Sequence, residues 1–270
     1  MIKSIGCIVA VFLCIQLYAG GVDTINVLSP GMYKEIKCVV ITPSNYDQNQ
    51  KNYPVIYLLH GHAGNYAQWI NTAPQLKDKV DEMQAIIVCP DAGFNSWYFD
   101  SDKDTSFKYE TFVSKELVAY VDKHYRSIAE RKGRAITGLS MGGHGALYLA
   151  IKHPDIFGVC GATSGGVDLT PFPNNWQVKN LLGDINSNRN NWEKNSVINL
   201  VDTLKDKQLS IIFDCGIDDF FLQVNRNLHQ KLLQLKISHD YIERPGGHNG
   251  SYWKNSIDYQ LLYFKKFFEQ

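Results

Sequence analysis

The chain has 270 residues, 44% of them hydrophobic and 12% aromatic, with 27 Lys+Arg balanced by 27 Asp+Glu. That is enough apolar material for one core of ~250 residues, and too little charge for a disordered chain. A net charge of zero gives no electrostatic footprint for nucleic acid, which is excluded as a partner, and none for an anionic membrane.

The first residues read as a targeting segment. Lys3 precedes an apolar run from Ile5 to Tyr18, and the small residues Ala19, Gly20 and Gly21 follow. Such a run is short of the ~20 residues that span a bilayer, so no stable membrane insertion is expected. A basic start, a short apolar stretch and small residues at the end have the form of a secretory signal peptide, cut after Ala19. Bulky Leu13 argues against a lipid anchor on Cys14. The expected organisation is a signal peptide at 1–19 and one domain at 20–270, secreted or periplasmic. Cys38, Cys89, Cys160 and Cys215 remain in that domain, each in or at the end of an apolar run, as buried thiols usually are.

Strands are predicted at Glu35–Thr42, Val55–Leu59, Ala85–Cys89, Ala135–Thr137, Val159–Thr163, Ser210–Asp214 and Asp240–Glu243. Continuous runs such as VIYLL and AIIVC imply burial on both faces. Between them, Phe112, Val113, Leu117, Tyr120, Val121 and His124 recur at helical spacing, as do Ala146–Lys152 and Leu222–Leu235. Alternating strands and helices predict an α/β fold with a mostly parallel sheet, its ligands at the carboxyl ends of the strands. The polar, Asn-rich stretch at 164–208 interrupts this rhythm. It is expected to fold over the active edge of the sheet rather than to divide domains.

Chemistry is concentrated at Gly138-Leu139-Ser140-Met141-Gly142, a G-x-S-x-G pattern between a predicted strand and a predicted helix. In that setting the turn presents the serine as a nucleophile, beside the free N–H groups of a helix start. A serine needs a base, and the base an acid to orient it, in the chain order Ser, Asp, His. Among the histidines beyond Ser140, His153 and His229 fall in helical stretches and His239 precedes a strand. His248 lies in a glycine-rich loop after the last strand and is the expected base. For the acid, Asp214, Asp218 and Asp219 compete; the G-x-x-D placement favours Asp219 and leaves Asp218 to cap the helix beginning near Phe220. Two backbone N–H groups are needed for an oxyanion. Met141 supplies one, and His62 is preferred for the other over Gly61. The pair His60 and His62 invites a metal reading, but no acidic partner follows, so neither metal nor cofactor is expected. Trp97, Tyr98 and Phe99, with Trp69, are predicted to wall the substrate pocket.

The stretches YLLHGHAGNYAQW, PDAGFNSWYFDS, AITGLSMGGHGALYLAIKHPDIF, DCGIDDFFL and PGGHNGSYW resemble the esterase D-like branch of the α/β-hydrolases. That branch includes tributyrin esterases, S-formylglutathione hydrolases, feruloyl and acetylxylan esterases, and antigen 85 acyltransferases. The resemblance runs from about Val39 to the C-terminus and is closest to the small bacterial tributyrin or feruloyl type. It implies a triad of Ser140, Asp219 and His248, an oxyanion hole at His62 and Met141, and an acyl pocket near Trp97 and Tyr98. The expected activity is a secreted serine esterase acting on short-chain, acetyl or feruloyl esters, including those of plant polysaccharide. The alternatives are an acyltransferase of antigen 85 type, an S-formylglutathione hydrolase and a non-catalytic carbohydrate-binding protein on the same fold.

Overall fold

The runs VIYLL and IIVCP offer no polar face to water, so both strands must be covered on two sides. They are so covered in the computed structural model, which describes residues 21–101 and 104–270. The expected signal peptide at 1–19 lies outside the described residues. Eight described strands form one sheet: β1 Val22–Ser29, β2 Lys34–Ile41, β3 Val55–Leu59, β4 Ile86–Pro90, β5 Arg134–Gly138, β6 Val159–Thr163, β7 Ser210–Gly216 and β8 Asp240–Arg244. Their order across the sheet is β1-β2-β4-β3-β5-β6-β7-β8. Only the pairs β1–β2 and β2–β4 are antiparallel.

The helices are α1 Gln68–Thr72, α2 Leu76–Met83, α3 Tyr109–Thr111, α4 Leu117–His124, α5 Met141–Lys152, α6 Val178–Leu182, α7 Ile185–Lys194, α8 Val197–Leu200, α9 Leu222–Gln234 and α10 Gly250–Phe268. Alternation along β3 sorts its side chains into two cores. Val55, Tyr57 and Leu59 join α4, α5 and α9 on one face, while Ile56 and Leu58 join α1, α2 and α10 on the other. This is the α/β-hydrolase fold. β3 pairs with β4 on one side and β5 on the other. The chain therefore reverses its direction of travel across the sheet at β3, and the carboxyl ends of β3 and β5 border the crevice that such a reversal creates.

Several boundaries differ from those predicted. β1 was not expected, because its apolar residues Val22, Ile25, Val27 and Leu28 keep no strict two-residue period; it is an edge strand with mixed burial. α5 starts at Met141, ahead of the predicted Ala146, because Gly142, Gly143 and Gly145 weaken the helical signature. α3 and α4 are joined through one π-helical turn at Phe112–Glu116. The stretch 164–208 carries α6 to α8 and shares the larger core: Trp192 is fully buried, with its indole N–H donating to Gly183 O at 2.9 Å. All four cysteines of the described residues are buried free thiols. Burial pushes Cys38 and Cys160 up to about 12.

One charge cluster locks α3 to α5. Glu110 accepts hydrogen bonds from Tyr148 Oη and Lys152 Nζ, both at 2.7 Å, and from His153 Nε2 at 3.0 Å. Burial alone would raise its pKa, but these donors outweigh burial and hold it at about 2, below the ordinary 4.5. A depressed carboxylate contributes stability above its unfolded pKa and loses it as pH falls through the folded one. Glu110→Gln is therefore expected to cost on the order of 2 kcal/mol near neutrality, or about 4–8 °C in Tm. Melting curves from pH 7 to pH 3 check the sign: the deficit should narrow below pH ~4.5. An equal deficit at both ends would contradict it.

Candidate active site

Ser140 sits where β5 turns into α5. Its backbone is at φ 55° and ψ −115°, a conformation that costs a non-glycine residue roughly 1–3 kcal/mol. Neighbouring strands hold it there: Ser140 N–H donates to Thr163 O at 3.0 Å, and Leu139 N–H to Leu59 O at 3.2 Å. The flanking glycines are dictated by crowding. A Cβ on Gly138 would lie 2.4 Å from the Gly142 carbonyl, and one on Gly142 would lie 2.2 Å from Leu59 O. Strand, turn and helix can meet so tightly only if both positions lack side chains.

The loops after β7 and β8 bring the other two groups to the serine. Asp218 N–H donates to Gly246 O at 2.9 Å, and Asn249 caps α10 by accepting from Tyr252 N–H at 3.1 Å. His248, just before that cap, is 2.9 Å from Ser140 Oγ through Nε2. Its Nδ1 is 2.9 and 3.1 Å from the two carboxylate oxygens of Asp219. A carboxylate only accepts, so Nδ1 carries the proton and Nε2 is left to accept from the serine hydroxyl. Phe220, Phe221 and Trp253 surround the imidazole at ring separations of 4.3, 5.5 and 5.1 Å. Their apolar surfaces keep bulk water from this hydrogen-bond chain and strengthen it.

The rival acids are elsewhere. Asp214 is fully buried on the α10 side, where Thr163 Oγ1, Ser256 Oγ and Gln260 Nε2 donate to it at 2.8, 2.6 and 2.8 Å. Burial pushes its pKa upward. Asp218 does not cap α9, contrary to expectation: the carboxylate of Asp219 itself accepts from Phe221 N–H at 2.8 Å.

Gly61 N–H is already occupied, donating to Gln68 Oε1 at 2.7 Å. No partner engages the N–H of His62 or of Met141 among the described residues. Both remain available beside Ser140, one from the β3 loop and one from the first residue of α5. The His62 ring lies edge-on to Phe94 at 4.8 Å, and burial lowers its pKa. His60 has no lone pair to offer a metal, because Nε2 accepts from Ala92 N–H at 2.8 Å and Nδ1 donates to Gly61 O at 2.8 Å.

The cleft at Ser140 and His248 has a volume of about 170 Å³, with Gly61, His62, Gln68, Leu139, Trp176, Phe220 and Trp253 around it. The predicted wall residues are not there. Trp69 is 1% exposed, its indole N–H donating to Leu59 O at 2.9 Å in the core opposite α5. Tyr98 is wholly buried, its hydroxyl donating to His60 O at 3.0 Å. Trp97 is buried behind Trp176, at a ring separation of 5.9 Å. Trp97 and Tyr98 have φ of 53° and 63°; consecutive left-handed residues reverse the chain and turn both rings inward. The aromatics that do face the cleft are Trp176, stacked on Phe220 at 5.8 Å, and Trp253 in the first turn of α10. Phe220, adjacent to the acid, was the signal that sequence reasoning passed over.

The sequence matches the family described as "Putative esterase" over residues 29–264. An acetyl esterase from Caldicellulosiruptor saccharolyticus is 28% identical over 223 residues, spanning 78% of this chain and 83% of that protein. The solved structure of a ferulic acid esterase superimposes with a TM-score of 0.80 at 31% identity, covering 93% of this chain and 99% of its own. The diacylglycerol acyltransferase/mycolyltransferase Ag85A of Mycobacterium tuberculosis is 26% identical over 254 residues, 85% of this chain and 72% of that protein. With that family matched over most of its length, the chain belongs to the esterase family and is a carboxylic-ester hydrolase.

Proposed function

We propose that the protein is a secreted serine esterase that cleaves short-chain or single-ring acyl esters through an acyl-enzyme. The observation that carries this reading is the unbroken hydrogen-bond chain from Asp219 through His248 to Ser140, with two free N–H groups beside it. Ser140 Oγ attacks the acyl carbon while His248 Nε2 takes its proton, and Asp219 stabilises the imidazolium. The N–H groups of His62 and Met141 receive the oxyanion. His248 then protonates the leaving alcohol. Water, deprotonated by His248 in turn, releases the acid and restores the serine.

The cleft suits a small acyl group. Its walls are the flat faces of Trp176, Phe220 and Trp253, which pack well on a cinnamoyl-type ring or on two to four carbons. Its volume of about 170 Å³ is below the usual range for drug-sized ligands, so long chains fit poorly. Secretion is supported by the leader expected at 1–19, and a place outside the cytosol argues against S-formylglutathione. An intact Ser–His–Asp chain argues against a purely binding role. Transfer to an alcohol instead of water differs only in the second acceptor.

Ser140→Ala should lower kcat by up to ~10⁶-fold while leaving Tm unchanged; retention of more than a few per cent of turnover would refute the nucleophile. Asp219→Asn should cost about 10⁴-fold by favouring the wrong tautomer. Asp218→Asn should be nearly silent, since no side-chain bond ties its carboxylate to the site, and the reverse ranking would move the acid. For the acyl pocket, kcat/KM across acetyl, butyryl, octanoyl and feruloyl aryl esters is the relevant series. Octanoyl should gain nothing over butyryl, as the carbons beyond the cleft stay in water and bring none of the ~0.8 kcal/mol that burying each would give. A preference for octanoyl would overturn the pocket assignment alone.

A further inference from the structure

The loop that follows β3 commits its N–H groups one by one. Gly61 N–H donates to Gln68 Oε1 at 2.7 Å, Ala63 N–H to Phe94 O at 2.7 Å and Gly64 N–H to Gly61 O at 3.0 Å. From Gly61 to Gly64, only the N–H of His62 is left without a partner among the described residues. The acceptors for Ala63 and Gly64 are backbone carbonyls, but the acceptor for Gly61 is a side chain, at the first residue of α1. The loop makes room for it, since a Cβ on Gly64 would collide with the Gln68 carboxamide. The next residue, Trp69, donates from its indole N–H to Leu59 O at 2.9 Å. Consecutive residues of α1 thus grip the loop and the end of β3. Just past the helix, Gln75 Nε2 donates to Lys254 O at 2.9 Å, tying the same segment to the early turns of α10, which follows the His248 loop.

Gln68 lines the cleft together with Ser140 and His248. A neutral carboxamide is neither an acid nor a base at ordinary pH, so what it brings to this site is geometry. An oxyanion is stabilised best by N–H groups that already point at it, because turning them during the reaction forfeits much of the benefit. Gly61 N–H, one residue before His62, is the group best placed to compete for the developing charge. Left free, it would let the loop turn and present the wrong donor. Its partner must also be neutral, because a carboxylate there would set a full negative charge beside the one that forms on the substrate. We infer that Gln68 is a positioning residue of the oxyanion hole, holding Gly61 N–H so that His62 N–H is the donor the loop presents. The inference rests on the serine-esterase reading above, and adds to it a residue that acts through the loop rather than on the substrate.

Two substitutions test it. Gln68→Met keeps the bulk and removes the acceptor. It should lower kcat by about 10- to 100-fold, less than the ~10²–10³-fold cost of deleting a donor outright, and leave KM nearly unchanged. Gln68→Glu keeps the acceptor and adds a charge, and near neutral pH it should lower kcat by a comparable factor. It also decides the matter should Gln68→Met melt early. Inhibition by a short-chain alkyl trifluoromethyl ketone separates positioning from general damage. Ser140 Oγ bonds to its carbonyl carbon, the C=O π pair becomes the oxyanion, and the hydroxyl proton passes to His248 Nε2. The Ki should rise in Gln68→Met by the factor that kcat/KM falls. Hydrogen exchange followed by NMR should show Gly61 N–H protected in the wild type and in Gln68→Glu, and exchanging rapidly in Gln68→Met. A loss carried by KM, or a Gln68→Glu as active as the wild type, would overturn the inference. Wild-type protein that forms no adduct at Ser140 would overturn the esterase reading and this one with it. An adduct formed equally well in Gln68→Met would overturn this one alone.

Discussion

The architecture of the site depends on the closeness with which α5 enters between the ends of β3 and β5. Leu59 O at the end of β3 accepts from Leu139 N–H, and the same oxygen stands where a Cβ on Gly142 would fall. That contact leaves the intervening residue no relaxed conformation, and Ser140 is held at positive φ as a result. Strain at this one residue is offset by the packing of two fully buried strands and a nearly all-buried helix. It delivers the hydroxyl, the start of α5 and the His62 loop to one point at the carboxyl edge of the sheet.

The rest of the site is assembled from the far side of the sheet, by pinning two loops together. Gly216 meets Gly246 so closely that a Cβ would come within 2.2 Å of Gly246 O. Beneath that junction, Asp214 ties β7 to β6 through Thr163 and to α10 through Ser256 and Gln260. A buried carboxylate with several donors is costly to leave unsatisfied, so it enforces one arrangement of β7 against α10. Asp219 and His248 leave the two ends of this clamp. The acid thus has two structural relations, one to His248 and one to the N–H of Phe221, and the second aims the first.

The fold class and the positions of Ser140, Asp219 and His248 were legible because they depend on local pattern: buried strand runs, a strand–turn–helix serine, and loops after the last two strands. What escaped depends on the direction of individual rings. Trp97 and Tyr98 looked like cleft walls, yet two successive left-handed residues turn them into the core. Trp176 and Gln177 share that conformation, at φ 49° and 58°, and there the ring faces the cleft instead. Composition does not distinguish the two cases, since both are Trp followed by a polar-tipped residue in a loop. The cap assigned to Asp218 failed for a related reason: Asp219 has two oxygens and serves the helix and the histidine together. β1 escaped because Leu28 faces outward and Ser29 inward on this edge strand, which breaks the apolar–polar alternation in its sequence.

On the proposed mechanism, Ser140 becomes covalently acylated because His248 and the N–H groups of His62 and Met141 activate it. The direct measurement is intact-mass and peptide mapping after treatment with an organophosphonate that acts as an acyl-group mimic. A single adduct per chain is expected, on Ser140, formed quickly in the wild type and hardly at all in His248→Ala. An adduct on another residue, or equal labelling without His248, would contradict it.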